Sequence, residues 1–344
     1  MSDIQDSGIR YLDGSDVESL CRDLPVVDLV RTTLVAYGQG DAGLAAEAAL
    51  RWITPGGQSA RSLILPAWAD GAYGAKIINA SLGNISNGLE RASGLIILND
   101  PETARPVCVL EGGRISALRT AGVTVAAVAA LQDLTQIGSV AFLGAGRQAA
   151  VHLNLLAAEC PALKRVSVFD IVAPRAHRFA ALMNNDPECK AFVQPATTPR
   201  HAVMDAELIV AVTTTTEPYV EPDWLSPGAI FANVSLDDAT EALLVNCDHL
   251  FVDDWDLICA DDHRLLGKLA RAGHVVGPGE VAAPGARAVD ADLPTLVSGG
   301  YRRPVRSTDR IVINPLGMGV NDIALAATIH TMARNAGRGR LLPR

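Results

Sequence analysis

The stretch Ser139-Val-Ala-Phe-Leu143, followed by Gly144-Ala-Gly-Arg-Gln-Ala149, constrains this chain more than any other. An apolar run breaks on two glycines and continues into an Ala/Leu-rich segment, which reads as strand, tight turn and helix start. The first glycine permits the turn, the second lets the backbone approach a pyrophosphate, and the small Ala149 allows helix and strand to pack closely. The phosphates then face the positive end of the helix. The next apolar run, Arg165 to Phe169, ends in Asp170, at the ~20-residue spacing where a carboxylate meets a ribose 2′-hydroxyl. The pair points to NAD as the cofactor, while Arg175 keeps a 2′-phosphate, and so NADP, open.

Well over a hundred residues precede this motif, so a separate domain comes first. At 344 residues and 49% hydrophobic content the chain can bury two sizeable cores. Its formal net charge is −9, without a long basic block, which argues against nucleic-acid or anionic-membrane partners. Met1 to Asp16 is polar and acidic, without a basic and then apolar leader pattern, and no uninterrupted apolar run reaches the ~20 residues of a membrane span. A cytoplasmic location is the expectation. The six cysteines, at 21, 108, 160, 189, 247 and 259, form no Cys-x-x-Cys pair and imply neither disulfides nor a metal.

Asp16 to Gly38 reads as helix with a break at Pro25. Arg51 to Ile53, Ser62 to Leu65, Ala75 to Asn79, Gly94 to Asn99 and Pro106 to Glu111 read as strands between Gly, Pro and Asn turns. That pattern predicts an α+β domain. Ser116 to Leu131 reads as a helix at the junction. Strands then alternate with helices: Val140 to Leu143, Val166 to Phe169, Leu208 to Val212, Ile230 to Val234, His249 to Val252 and Ile311 to Asn314. The alternation predicts a Rossmann-type, doubly wound parallel sheet. A last helix from about Val320 to Ala336 returns to the first domain, so the expected division is 1–124 with 318–344, and 125–317. Val281 to Asp292, rich in Ala, Pro and Gly, reads as a mobile surface loop.

Arg51, Arg61, Lys76, Arg91 and Arg119 each fall on or beside a predicted strand or helix start. In an acidic chain this set predicts an anion-binding cleft: arginine grips carboxylates through a planar fork, whereas a buried lysine lowers its pKa and can move protons. Thr120, at an expected helix start, fits either a cofactor phosphate or a helix cap. Thr213 and the segment Val234, Ser235, Leu236, Asp237, Asp238 lie at the carboxyl ends of predicted parallel strands, where open α/β sheets bind ligands. Asp237 and Asp238 would sit on the nicotinamide side, with helix capping as the structural alternative. His152 and His263 read as structural or surface residues. No Gly-x-Ser-x-Gly elbow or Walker-type loop is present.

These residues resemble the ornithine cyclodeaminase and mu-crystallin family. Arg51, Tyr73-Gly-Ala-Lys76, Ile115-Ser-Ala-Leu-Arg119-Thr120, Gly144-Ala-Gly-Arg-Gln148 and Asn314-Pro-Leu-Gly-Met318 carry the likeness across nearly the whole chain. Glu90 to Gly94, Ile97 to Thr103, Pro218 to Trp224 and Val252 to Trp255 are similar to the branch that oxidises N-(2-amino-2-carboxyethyl)-L-glutamate to 2,3-diaminopropionate, a building block of siderophores and peptide antibiotics. The resemblance implies a substrate-binding and dimerising first domain, a central NAD domain and a homodimer. It places substrate binding on Arg51, Lys76 and Arg119, a phosphate contact on Thr120 and a ribose contact on Asp170. It places cofactor contacts on Gly144, Ala145, Gly146, Arg147, Gln148, Thr213, Val234, Ser235 and Met318, and the catalytic acid on Asp237 or Asp238 beside Lys76.

One departure is informative. Cyclodeaminases carry a substrate-holding glutamate thirteen residues before the lysine, where this chain has Leu63 beside Arg61. A leucine cannot balance a charged amine, and a buried unpaired charge is expensive. A small-molecule substrate with several carboxylates therefore fits the cation set, including Arg61 and Arg91, better than ornithine or lysine. Two alternatives remain at this point: a cyclodeaminase or ketimine reductase on the same fold, and a non-catalytic NAD(P)H-binding protein of the crystallin type.

Overall fold

The computed structural model describes residues 8–235 and 237–344; the residues before Gly8, and Leu236 beside the candidate carboxylates, lie outside the described residues. The chain divides into two compact units, one running to Arg119 and resuming with Met318–Arg344, the other Thr120–Gly317. The first boundary falls five residues before the expected one, within a single helix.

The amino-terminal unit is built on β1 (Gly8–Leu12), β2 (Ala42–Leu44), β3 (Ala48–Ile53), β4 (Ser59–Ala69), β5 (Ala72–Ser81), β6 (Ala92–Asn99) and β7 (Pro106–Glu111). The terminal strand Arg340–Pro343 pairs antiparallel with β1, which lies parallel to β7, and the order continues β6, β5, β4, β2, with β3 also on β4. The polar start of the chain thus carries a strand that its composition hides. Helices α1 (Gly14–Cys21) and α2 (Val26–Gln39) follow β1: Asp13 caps α1 by accepting from the N–H groups of Ser15 and Asp16, and Gly40, at φ +83°, ends α2. The terminal helix Gly319–Asn335 packs on α2, β4 and β5.

Antiparallel register sorts this sheet into two faces. Leu65, Lys76, Ile96 and Leu110 lie side by side on β4 to β7 and are all buried. On the other face Ile64 lies beside Ile77 and Leu95, and Ile64, Leu95 and, on β3, Leu50 remain 39%, 41% and 66% exposed.

After a short helix α3 (Gly83–Ser86), α4 (Gly112–Leu131) starts four residues earlier than expected, because the Glu111 carboxylate accepts from Gly113 N and Arg114 N and begins the helix there. Thr120 is therefore mid-helix, and the capping role considered for it is excluded. The helix is long and apolar enough to cross a membrane by length and composition, but Ala121, Val123 and Val125–Val128 are buried inside the protein.

The central unit holds β8 (Ser139–Leu143), β9 (Arg165–Phe169), β10 (Phe192–Pro195), β11 (Leu208–Ala211), β12 (Ile230–Asn233) and β13 (His249–Val252). Beyond these come the small pair β14 (Val275–Val276) and β15 (Arg287–Ala288), then β16 (Ala291–Asp292) and β17 (Ile311–Asn314). The main sheet runs β10, β9, β8, β11, β12, β17, β13, β16, all parallel. The strands β8, β11, β12, β13 and β17 are buried on both faces, as helix-covered parallel strands must be. The strand order reverses between β8 and β11, the topological switch point at which doubly wound folds bind ligands. Val281 to Asp292 is not a mobile loop throughout: β15 and β16 lie within it, and Val289 and Ala291 are buried.

Candidate active site

In the amino-terminal unit, Lys76 sits in the buried row of β5 with only 1% of its surface exposed. Its Nζ donates to Asp322 Oδ2 at 2.6 Å and to Ser116 Oγ at 3.2 Å, and Arg119 Nε reaches the same Asp322 oxygen at 3.3 Å. Asp322 enters from the first turn of the terminal helix, and Arg119 and Ser116 from α4. Burial and the neighbouring Arg119 charge lower the Lys76 pKa to about 8, against the opposing pull of Asp322 and Glu47. A lysine of this kind holds a substantial neutral fraction near neutrality, so it can accept a proton as well as donate one.

Register places Arg51 directly across from Arg61, on the same sheet face as Lys76 and four residues along β4 from Leu65. Arg91, beside the start of β6, is half-buried, and its pKa is lowered by burial and by the Arg61 charge. Like charges facing each other across strands destabilise a sheet. Arg51, Arg61 and Arg91 therefore form a cationic patch whose repulsion a polycarboxylate ligand would relieve. Leu63 lies in the row between Arg61 and Leu65.

In the central unit, Gly144 has φ +98°, and a Cβ there would lie 2.9 Å from Val212 O just beyond β11, so the turn that follows β8 admits only glycine at this position. A Cβ on Gly146 would meet nothing within 4 Å, which leaves open space at the start of helix α5 (Arg147–Glu159), whose N-cap makes no side-chain bond. Asp170, just beyond β9, accepts from Ala145 N at 3.0 Å and Val172 N at 2.8 Å, tying its carboxylate to the glycine turn. Gln148 Oε1 is buried without a hydrogen-bond partner among the described residues. An open helix N-terminus, a glycine cradle and an adjacent carboxylate fit a dinucleotide.

The two candidate carboxylates separate clearly. Asp238 is fully buried and accepts from Thr213 Oγ1 at 2.7 Å, Tyr219 Oη at 3.0 Å and Ser235 Oγ at 2.8 Å. Burial raises its pKa against those three donors. Asp237 accepts from Leu265 N at 2.8 Å, and burial raises its pKa also. Thr213 thus spends its hydroxyl hydrogen on Asp238 and accepts from Thr215 N at 3.1 Å. Val234 extends β12 through a bond from its N–H to Ala211 O. Met318 is buried at the N-cap of the terminal helix.

Several residues carry more than sequence reasoning gave them. Asp322, the shared partner of Lys76 and Arg119, is an isolated acid in the first turn of an apolar helix, and that contrast was its only signal. Tyr219 and Asp253 lie in segments already singled out. Asp253 is buried and accepts from Gly317 N, holding the turn that follows β17. His152 is buried between Thr124 Oγ1 at 3.1 Å and Gln148 O at 2.8 Å, and its pKa falls to about 4 through burial. His263 is exposed beside Asp262.

Residues 12–337 match the ornithine cyclodeaminase/mu-crystallin family. The N-((2S)-2-amino-2-carboxyethyl)-L-glutamate dehydrogenase of Staphylococcus aureus is 30% identical, over 96% of this chain and 97% of that protein. Among solved structures, CmnK superposes with a TM-score of 0.88 at 35% identity, covering 98% of each chain. The Δ1-pyrroline-2-carboxylate reductase of Thermococcus litoralis, solved with NADH and L-proline, shares the fold with a TM-score of 0.82 at 19% identity, over 96% of this chain and 99% of its own.

Proposed function

The chain belongs to the ornithine cyclodeaminase/mu-crystallin family, and from that premise we propose that it is an NAD-dependent dehydrogenase of N-(2-amino-2-carboxyethyl)-L-glutamate. Oxidation at the glutamate α-carbon gives an imine, and water cleaves it to 2-oxoglutarate and 2,3-diaminopropionate. The observation that carries this reading is the cation set on one sheet face, Arg51, Arg61 and Lys76 with Arg91 beside it, with the apolar Leu63 among them. A ligand with three carboxylates matches that charge. A diamino acid does not.

The glycine turn at Gly144–Gly146, with Arg147 and Gln148 at the start of α5, would hold the pyrophosphate, Thr120 would donate to a phosphate, and Asp170 would take the ribose. NAD, when bound, supplies the hydride acceptor. The arginines fix the carboxylates and so the orientation of the reacting carbon. The secondary amine must be neutral before its α-hydrogen can leave, because a protonated nitrogen has no lone pair to stabilise the developing iminium. Lys76, with its lowered pKa, takes that proton, passes it to solvent, and then serves as general base for the attacking water. Asp238, wrapped by three hydroxyls, is the better placed of the two carboxylates to order the edge where β11 and β12 end.

The exposed apolar face of Leu50, Ile64 and Leu95 supports a homodimer through this sheet. Incubation of the protein with NAD and this amine, or with ornithine or lysine, tests the reading. NADH with 2-oxoglutarate and 2,3-diaminopropionate from the first substrate is the expected result. Proline or pipecolate without net NADH would make the protein a cyclodeaminase and overturn it.

A further inference from the structure

The edge strand beside β4 changes register at one point. Leu44 lies across from Ala67 and Ala45 N donates to Pro66 O, yet Ala48 lies across from Ile64. Ala46 and Glu47 therefore share the single partner position Leu65, the arrangement of a β-bulge, which re-aims side chains. Pro66, which has no N–H to give the sheet, sits at this irregularity, where a strand tolerates proline. Leu65 in turn lies across from Lys76, so Glu47 occupies the same row and face as Lys76, two strands away. Two strand spacings are ~10 Å, a gap that two long side chains and a small ligand can fill.

Resting on the reaction proposed above, we propose that Glu47 binds the primary ammonium of the substrate and selects for amines that carry it. That substrate has three carboxylates, a reacting secondary nitrogen and one primary ammonium three bonds from that nitrogen. Arg51, Arg61 and Arg91 answer the carboxylates and repel the ammonium. Asp322 is buried and already commits one oxygen to both Lys76 and Arg119. Glu47 is an exposed acid on this row, and its charge acts on Lys76, the residue proposed to take the proton from the reacting nitrogen. Leu63, where cyclodeaminases carry their acid, lies one row away on the same face, so the anionic contact has moved from β4 to the bulged edge strand.

The test compares N-(2-amino-2-carboxyethyl)-L-glutamate with N-(2-carboxyethyl)-L-glutamate, which lacks only the primary amine, using the full chain with NAD. A hydrogen bond to a charged group contributes ~1.5–3 kcal/mol, so the wild-type protein should prefer the amine in kcat/KM by ~10- to 100-fold. Glu47→Gln should reduce that preference to less than about threefold, chiefly through a higher KM, and Glu47→Asp should restore part of it. NADH binding and thermal melting report that the variants are folded. Undiminished preference in Glu47→Gln would overturn the role of Glu47 while leaving the reaction intact. Turnover of neither compound by the wild-type protein would overturn the reaction itself, and the role of Glu47 with it.

Discussion

Lys76 Nζ lies 2.6 Å from Asp322 Oδ2 with both side chains buried, and the two residues stand 246 positions apart in the chain. Two cations, Lys76 and Arg119, share that one carboxylate, so the local charge is unbalanced toward positive. The imbalance and the burial together lower the Lys76 pKa to about 8.

As the proposed general base, a lysine with this pKa would set the acid side of the pH profile. Activity in the oxidative direction should rise as pH climbs through about 8, where Lys76 loses its proton. Lys76→Gln should abolish that limb and lower kcat by ~10²- to 10⁴-fold, the usual contribution of general acid–base catalysis. The same shift predicts a stability effect: the unfolded lysine holds its proton up to about 10.5, so stability should rise between pH 8 and 10.5 by roughly 3 kcal/mol. Urea unfolding of wild type and Lys76→Met across that range checks the sign, since the variant should lack the rise.

Removing the shared carboxylate should be severe. Asp322→Asn leaves two buried cations with a neutral partner, and breaking a buried pair costs ~3–5 kcal/mol. The Lys76 pKa should fall further, so any activity that survives should show its acid limb at lower pH. An unchanged unfolding midpoint would show that water reaches and screens this cluster.

Asp170 ties the glycine turn to the end of β9, and in the proposed cofactor site its carboxylate would hold a ribose. Asp170→Ser should weaken NADH binding by ~10- to 100-fold, the equivalent of one charge-assisted hydrogen bond, and narrow any preference over NADPH. Fluorescence titration with both dinucleotides reads the ratio, and a ratio that did not move would assign the ribose contact elsewhere.

His152 predicts an acid sensitivity unrelated to the chemistry. Its folded pKa of about 4 lies below the unfolded value of 6.5, so stability is full above pH 6.5 and is lost as pH falls toward 4. Between pH 7 and 4.5 this residue should account for roughly 2–3 kcal/mol of lost stability. His152→Gln should lose correspondingly less over the same interval in denaturant titrations.

The exposed apolar face predicts association. Sedimentation velocity should find a dimer, and Ile64→Lys with Leu95→Glu should yield monomer, because charges placed in a contact core cannot be solvated there. A wild-type monomer at micromolar concentration would rule this face out as a stable interface.

The sequence by itself determined the central unit and its cofactor edge. Ser139 to Ala149 and Asp170 were legible because the chemistry is local: a turn that needs positive φ needs glycine, and the neighbouring strand delivers its carboxylate at a fixed distance along the chain. The five cations were legible as a set, because cations at strand ends are conspicuous in an acidic chain. Their arrangement was not. Which of them face one another follows from antiparallel register, and register arises from pairings that no short window contains. The bulge at Ala46 and Glu47 is hidden in an Ala-rich stretch whose local propensity favours helix, which pairing with β4 overrides. Asp237 and Asp238 are equivalent in sequence, and only the packed structure separates them, giving one the N–H of Leu265 and the other three hydroxyls. Asp322 reaches Lys76 because the terminal helix folds back onto β4 and β5. Burial there, an effect of the whole unit, is what lowers the pKa of an ordinary lysine to about 8.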